Sequence, residues 1–160
     1  MNIIVQKFGG TSVSTEDRRK QVAIKVKEAI ENGFTPIVVV SAMGRKGQPY
    51  ATDTLLTLID DKFKETNRNS KDLLMCCGEI ISSVVVANAL YNEGIEAVPL
   101  TGGQAGIITD DNFCEAEYIS IDIDRWLSVV REGKVPVVTG FQGITKDGYF
   151  TTLGRGGSDT

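Results

Sequence analysis

The sequence predicts an α/β fold, a three-layer αβα sandwich around a mainly parallel open sheet, and three observations lead there. Short apolar runs, Ile3-Ile4-Val5, Pro36-Ile37-Val38-Val39-Val40 and Val135 to Thr139, alternate with amphipathic segments long enough to be helices. The run at 36–40 is too uniformly apolar for a half-exposed strand and reads as a central parallel strand covered on both faces. Glycine-rich turns follow the strands at Gly9-Gly10, Ser41-Ala42-Met43-Gly44 and Thr101-Gly102-Gly103. In an open parallel sheet the carboxyl ends of strands gather at one edge, so the first two turns are expected to face one crevice. The third either shapes that crevice or merely turns the chain.

Composition narrows the chemistry. The chain has 160 residues, 41% of them hydrophobic, which suits one domain or part of a larger one. A net charge of −4 and a pI near 4.9 leave no basic stripe for nucleic acid. No apolar run reaches the ~20 residues that span a bilayer, and the start lacks the pattern of a signal peptide. A cytoplasmic protein without a membrane partner is expected. Cys76, Cys77 and Cys114 show no CxxC spacing and read as small core residues of a reduced compartment. The sequence contains no histidine, which removes hydrolases with a histidine base and most transition-metal sites. Lysine, arginine, carboxylates and hydroxyls remain, a set that suits phosphoryl transfer, where positioning and charge neutralisation dominate.

In chain order, Lys7-Phe8-Gly9-Gly10-Thr11-Ser12-Val13 reads as strand, glycine turn and helix. Such a turn is either a tight reversal or a phosphate cradle, because glycine lets backbone N–H groups approach an anion. Lys7 stands at its mouth, placed to neutralise a transferring phosphoryl group. A helix is expected from about Thr15 to Asn32, with Glu16 and Asp17 in its first turn and Gly33 as its stop. Arg45 to Ala51 reads as a mobile polar loop, and Thr52 stands near the start of a short helix with Leu55, Leu56 and Ile59 as its apolar face. Ser70 to Asn92 is the longest helical segment. Glu79 is the anomaly in it: a carboxylate after Gly78 in an apolar helix either reaches the solvated rim or binds a cation such as a substrate amine.

Ala97 to Leu100 is expected to form a strand, and Tyr118 to Ile123 another; Ile107 to Glu117 has mixed polarity and no firm assignment. Asp124 would cap a helix ending at Glu132, Val135 to Thr139 a further buried strand, and Lys146-Asp147-Gly148 a hairpin-like turn into Tyr149 to Leu153. Glycines then surround Arg155, whose planar fork suits a carboxylate or phosphate, and Ser158 and Asp159 are good N-caps for a helix beyond Thr160. A longer parent protein is therefore expected.

Lys7-Phe8-Gly9-Gly10-Thr11-Ser12, Ser41-Ala42-Met43-Gly44, Cys77-Gly78-Glu79 and Thr152-Leu153-Gly154-Arg155-Gly156-Gly157-Ser158-Asp159 together closely resemble the aspartate kinases of the amino-acid kinase family. The resemblance runs over residues 1–160 and implies the N-terminal portion of that catalytic domain, without the later nucleotide-binding segment or the ACT regulatory domains. It implies transfer of the ATP γ-phosphoryl group to the side-chain carboxylate of L-aspartate, with Mg²⁺ on the phosphates, at the entry to lysine, threonine and methionine synthesis. By the same resemblance Lys7 stabilises the transferring group and Asp159 orients Lys7 and the groups around it, while Phe8, Gly9, Gly10 and Ser12 line the phosphate cradle. Glu79 takes the α-ammonium of aspartate and Arg155 its α-carboxylate, with Ser41, Thr52 and Ser158 completing the pocket; Thr54 competes with Thr52. A homo-oligomeric parent is expected on the same ground. The alternatives are another kinase of this family, acting on acetylglutamate or glutamate, and a non-catalytic binding module.

Overall fold

Along the chain the computed structural model, which describes residues 1–154, has β1 (Ile3–Phe8), a 3-10 turn (Gly10–Val13), α1 (Glu16–Glu31), β2 (Thr35–Val40), α2 (Thr52–Leu56), α3 (Asp61–Thr66) and α4 (Arg68–Asn92). There follow β3 (Ala97–Leu100), β4 (Ile107–Thr109), β5 (Tyr118–Ile121), α5 (Asp124–Arg131), β6 (Val135–Thr139), β7 (Gln142–Thr145) and β8 (Phe150–Thr152). The two most uniformly apolar runs become the central strands of a wholly parallel sheet in the order β1-β2-β6-β3. Val38, Val40 and Val137 are completely enclosed there. Each such side chain contributes about 1.5–3 kcal/mol by leaving water.

Val22, Ala23 and Val26 of α1 and Val86 and Leu90 of α4 cover one face of this sheet, packing on Phe8, Val38, Val40 and Val137. Ile37 and Val138 point to the other face, where Trp126 of α5 packs. The three layers are thus the predicted ones. Thr15 caps α1 by accepting from the Arg18 N–H at 3.2 Å, and Gly33 ends it with φ of +86°. α4 is long and apolar enough, by length and composition, to cross a bilayer, yet it also carries Asp72 and Glu79 and packs on the sheet as the core helix of this domain.

The structure departs from expectation in the second half. Four short strands form a separate mixed sheet, β5-β4-β7-β8, in which β4 pairs antiparallel with β5 and parallel with β7, and β7 turns into β8 at Lys146-Asp147-Gly148. Of these, β4, β7 and β8 are only 3–4 residues long and bury hydroxyls such as Thr109, Thr145 and Thr151, so no apolar run announces them. The strand expected from Tyr118 to Ile123 stops at Ile121, because Asp122 leaves it to accept the Asp124 N–H at 3.2 Å. Asp124 is consequently the first residue of α5 rather than its cap. A 3-10 turn intervenes between the first glycines and α1, α3 is an extra helix, and α4 starts at Arg68 instead of Ser70.

Candidate functional site

Parallel strands deliver their carboxyl ends to one edge, and hydrogen bonds stitch the turns together there. The Ser41 N–H donates to the Phe8 carbonyl at 3.2 Å, Gly44 N–H to the Gly10 carbonyl at 3.0 Å, and Gly140 N–H to the Val40 carbonyl at 2.9 Å. The third glycine turn joins them through the Gly102 N–H on Thr139 Oγ1 at 2.8 Å. The fold treats the two first glycines differently. A Cβ on Gly10 would lie 2.7 Å from the carbonyl oxygens of Ala42 and Gly44, so the neighbouring turn itself demands a glycine. A Cβ on Gly9 would meet nothing within 4 Å, and its φ of −74° suits any residue. Packing inside the chain leaves the backbone at Gly9 open.

Beside these turns lies a cavity of about 230 Å³ lined by Gly10, Ser41, Gly44, Thr52 and Glu79, with Arg45, Lys46 and Asp53 adding charge. Glu79 enters it from the middle of α4. Gly78, just before it, lets the 41–44 turn come close: a Cβ there would stand 2.8 Å from that of Ala42. Glycine in a helix interior costs about 1 kcal/mol relative to alanine, so this close approach has a price in helix propensity. Glu79 is 6% exposed, and among the described residues it has no ion pair and no side-chain hydrogen bond. Burial pushes its carboxyl up to about 8, against the smaller opposing pull of its own backbone N–H. A buried carboxyl that faces a cavity and meets only its own backbone N–H has acceptor capacity to offer a cation.

Thr52 is the first residue of α2 and makes no capping bond, Ala51 being the cap, so its side chain does not serve the helix start. It lines the cavity; Thr54 lies off the cavity wall, with its Oγ1 buried and without a hydrogen-bond partner. The 45–51 loop, expected to be mobile, makes hydrogen bonds at its start, within itself and to the first turn. The Arg45 N–H donates to Gln48 Oε1 at 2.7 Å and the Arg45 Nε–H to Thr11 Oγ1 at 3.0 Å. Arg45 and Lys46 of this loop form part of the cavity wall, directly after a strand-end turn.

The predicted phosphate cradle is divided. Lys7 is exposed on β1 opposite Val39, two residues before Gly9. Phe8 buries its ring in the core, so only its backbone borders the turn. Ser12 lies in the 3-10 turn, donates its N–H to the Gly9 carbonyl at 3.0 Å, and faces a smaller hollow beside Arg18, Gln21 and Lys25. Arg155, Ser158 and Asp159 lie outside the described residues. A second buried carboxylate, Asp72, stands two turns before Glu79 on α4; it follows the polar stretch Asn67 to Lys71, which carries no burial signal. Among the described residues no three acidic or cysteine side chains converge to hold a metal.

The sequence profile of the amino acid kinase family matches residues 2–160. Aspartokinase 1 of Bacillus subtilis (strain 168) is 51% identical over all 160 residues of this chain and 40% of its own length. The aspartokinase of Geobacillus stearothermophilus is 44% identical, over all of this chain and 38% of its own length. The chain thus spans about two fifths of these relatives. The crystal structure of aspartate kinase from Synechocystis superposes with a TM-score of 0.72 at 38% identity, covering 100% of this chain and 25% of that one. An isopentenyl phosphate kinase shares the fold at a TM-score of 0.65 and 22% identity, over 96% of this chain and 63% of its own.

Proposed function

This chain belongs to the amino acid kinase family, and we propose that it is the N-terminal portion of the catalytic domain of an aspartate kinase. In this reading an oxygen of the aspartate side-chain carboxylate attacks the γ-phosphorus of ATP, the bond to the β–γ bridging oxygen breaks, and 4-phospho-L-aspartate and ADP leave. The observation that carries it is Glu79, a buried and unpaired carboxyl facing a cavity shared with Ser41 and Thr52, beside the first glycine turn. The α-ammonium of an amino acid supplies the cation that this carboxyl lacks.

The reaction joins two anions, so the site must offset their repulsion. Lys7 and the open backbone at Gly9 serve the triphosphate, with Gly10, Ser12 and the backbone of Phe8 shaping the turn. Mg²⁺, carried by the phosphates, lowers their charge. Arg155 takes the α-carboxylate, Ser158 completes the substrate pocket, and Asp159 orients Lys7. No general base is needed, because the attacking carboxylate has no proton to lose. The identity of 51% to an aspartokinase supports aspartate as acceptor. A cytoplasmic, homo-oligomeric parent enzyme belongs to the same proposal.

The test is hydroxylamine trapping of the acyl phosphate by the full-length protein with MgATP, offering L-aspartate, L-glutamate or N-acetylglutamate. Hydroxamate from aspartate is expected. Hydroxamate from another acceptor instead overturns the assignment of substrate, and none from any acceptor in a folded sample overturns the kinase reading.

A further inference from the structure

Besides Glu79, the cavity wall carries the charged residues Arg45, Lys46 and Asp53, all at its exposed rim. Only one of these side chains is held. Among the described residues the side chains of Lys46 and Asp53 make no hydrogen bond or ion pair, whereas the Arg45 Nε–H donates to Thr11 Oγ1 at 3.0 Å. Backbone bonds fix the root of the same side chain. The Gly44 N–H donates to the Gly10 carbonyl at 3.0 Å, the Arg45 N–H to Gln48 Oε1 at 2.7 Å, and the Gln48 N–H to the Arg45 carbonyl at 2.9 Å. A long side chain fastened at its root and near its tip has less freedom to lose when a ligand arrives, so it is the better prepared of the two rim cations.

The nature of the anchor matters as much as its presence. Thr11 offers a neutral hydroxyl, and among the described residues no carboxylate pairs with Arg45, so the guanidinium is placed without being neutralised. Nε uses a single N–H. Those on both terminal nitrogens make no bond among the described residues, and they form a planar fork that matches a carboxylate. Arg45, from the loop after β2, and Glu79, from the middle of α4, thus bring a donor fork and an acceptor carboxyl to one cavity. A small molecule that carries both a carboxylate and an ammonium complements the pair.

Thr11 also supplies a direction. It belongs to the 3-10 turn directly after Gly9, the turn read as the triphosphate cradle, so Arg45 marks the side of the cavity where the two substrates meet. We propose that Arg45 grips the acceptor's reacting carboxylate through the oxygen that does not attack, and so selects an acceptor with an anionic side chain. This rests on the reading of the cavity as the seat of an α-amino acid whose ammonium meets Glu79. As the acyl phosphate forms, the gripped oxygen becomes a carbonyl oxygen and gives up its share of the negative charge. The contact is therefore strongest before transfer, and its loss shows in acceptor KM more than in kcat.

The test compares an acid with its amide in the full-length protein. L-asparagine keeps the α-ammonium and α-carboxylate of L-aspartate but has a neutral side chain, so its inhibition constant as a competitor is measured beside KM for L-aspartate and for MgATP. Arg45→Gln is expected to raise the L-aspartate KM about tenfold, with the L-asparagine constant and the MgATP KM within about twofold. Thr11→Val keeps the shape but removes the anchor, and should raise the L-aspartate KM several-fold with the same selectivity; Thr11→Ser keeps the hydroxyl and should stay near wild type. If Arg45→Gln fails to fold, the Thr11 pair carries the test. A loop that merely packs the cavity would affect acid and amide alike, so equal rises for L-aspartate and L-asparagine overturn the inference, as does an unchanged L-aspartate KM. A rise in MgATP KM alone assigns Arg45 to the triphosphate and overturns it as well. A wild type that phosphorylates L-glutamate instead overturns the aspartate reading, and L-glutamate against L-glutamine then decides on Arg45 by the same criteria; one that phosphorylates neither overturns both.

Discussion

Two carboxylates on one face of α4 meet opposite environments. Asp72 is fully enclosed and receives three hydrogen bonds from distant parts of the chain; Glu79, 6% exposed, meets only its own backbone N–H among the described residues. Burial alone thus does not mark a site. The fold itself accounts for a buried carboxyl whose acceptor capacity is met from within the chain; one that faces a cavity with capacity to spare has room for a ligand. The largest expected effect tests that division. Asp72→Ala strands three buried donors and should cost on the order of 3 kcal/mol or more in urea unfolding, while Glu79→Gln should cost nothing or stabilise slightly. Equal losses in the two variants would erase the distinction.

The second effect sharpens the ligand side. A charge-assisted hydrogen bond to an ammonium in a buried cavity is worth about 1.5–3 kcal/mol. Glu79→Gln in the full-length enzyme should therefore raise KM for aspartate by about ten- to a hundredfold, with a smaller change in kcat. An unchanged KM would remove Glu79 from the substrate pocket.

The same contrast explains what could be read from the sequence. Glu79 stood out because its neighbours Ile80, Ile81, Val84 and Val85 are apolar, so its burial cost was visible locally. Asp72 did not, because it follows a polar stretch and its partners lie 42 and 80 residues further along the chain. The sheets divide in the same way. β2 and β6 are continuous apolar runs that name their own environment, whereas β4, β7 and β8 are held by partners that only the folded topology supplies. The meeting of the turns at Gly10, Ser41 and Gly44 followed from parallel strand order; the bond from Arg45 to Thr11 joins residues 34 apart in the chain, which no local pattern signals.

Gly78 sets how closely α4 meets the 41–44 turn, and its effect is smaller. Gly78→Ala gains helix propensity of about 1 kcal/mol, but its Cβ would lie 2.8 Å from that of Ala42 and drive the 41–44 turn off the helix. Overall stability should change little, while aspartate KM rises by up to about tenfold as Ser41 moves relative to Glu79. Adding Ala42→Gly returns the space and should recover the wild-type KM. A double variant as impaired as the single one would mean that the close approach is incidental.

The mildest effect is the dependence on pH, and it belongs to Glu79 alone. Burial holds its carboxyl up to about 8 in the folded chain, against an ordinary value of 4.5. Because the folded value is the higher one, the fold favours the protonated form. The corresponding stability is fully present below about pH 4.5 and is lost as pH rises through about 8. Binding runs the other way, since an ammonium requires the ionised carboxylate and so expels the proton. Below about pH 8 that expulsion weakens binding, and above it the penalty is gone. Aspartate KM should therefore fall about fivefold between pH 7 and 8, and the Glu79→Gln variant, with nothing to titrate at that position, should show no such fall. A fall of equal size in the Gln variant would assign the titration to the substrate or to another group and leave Glu79 ionised throughout.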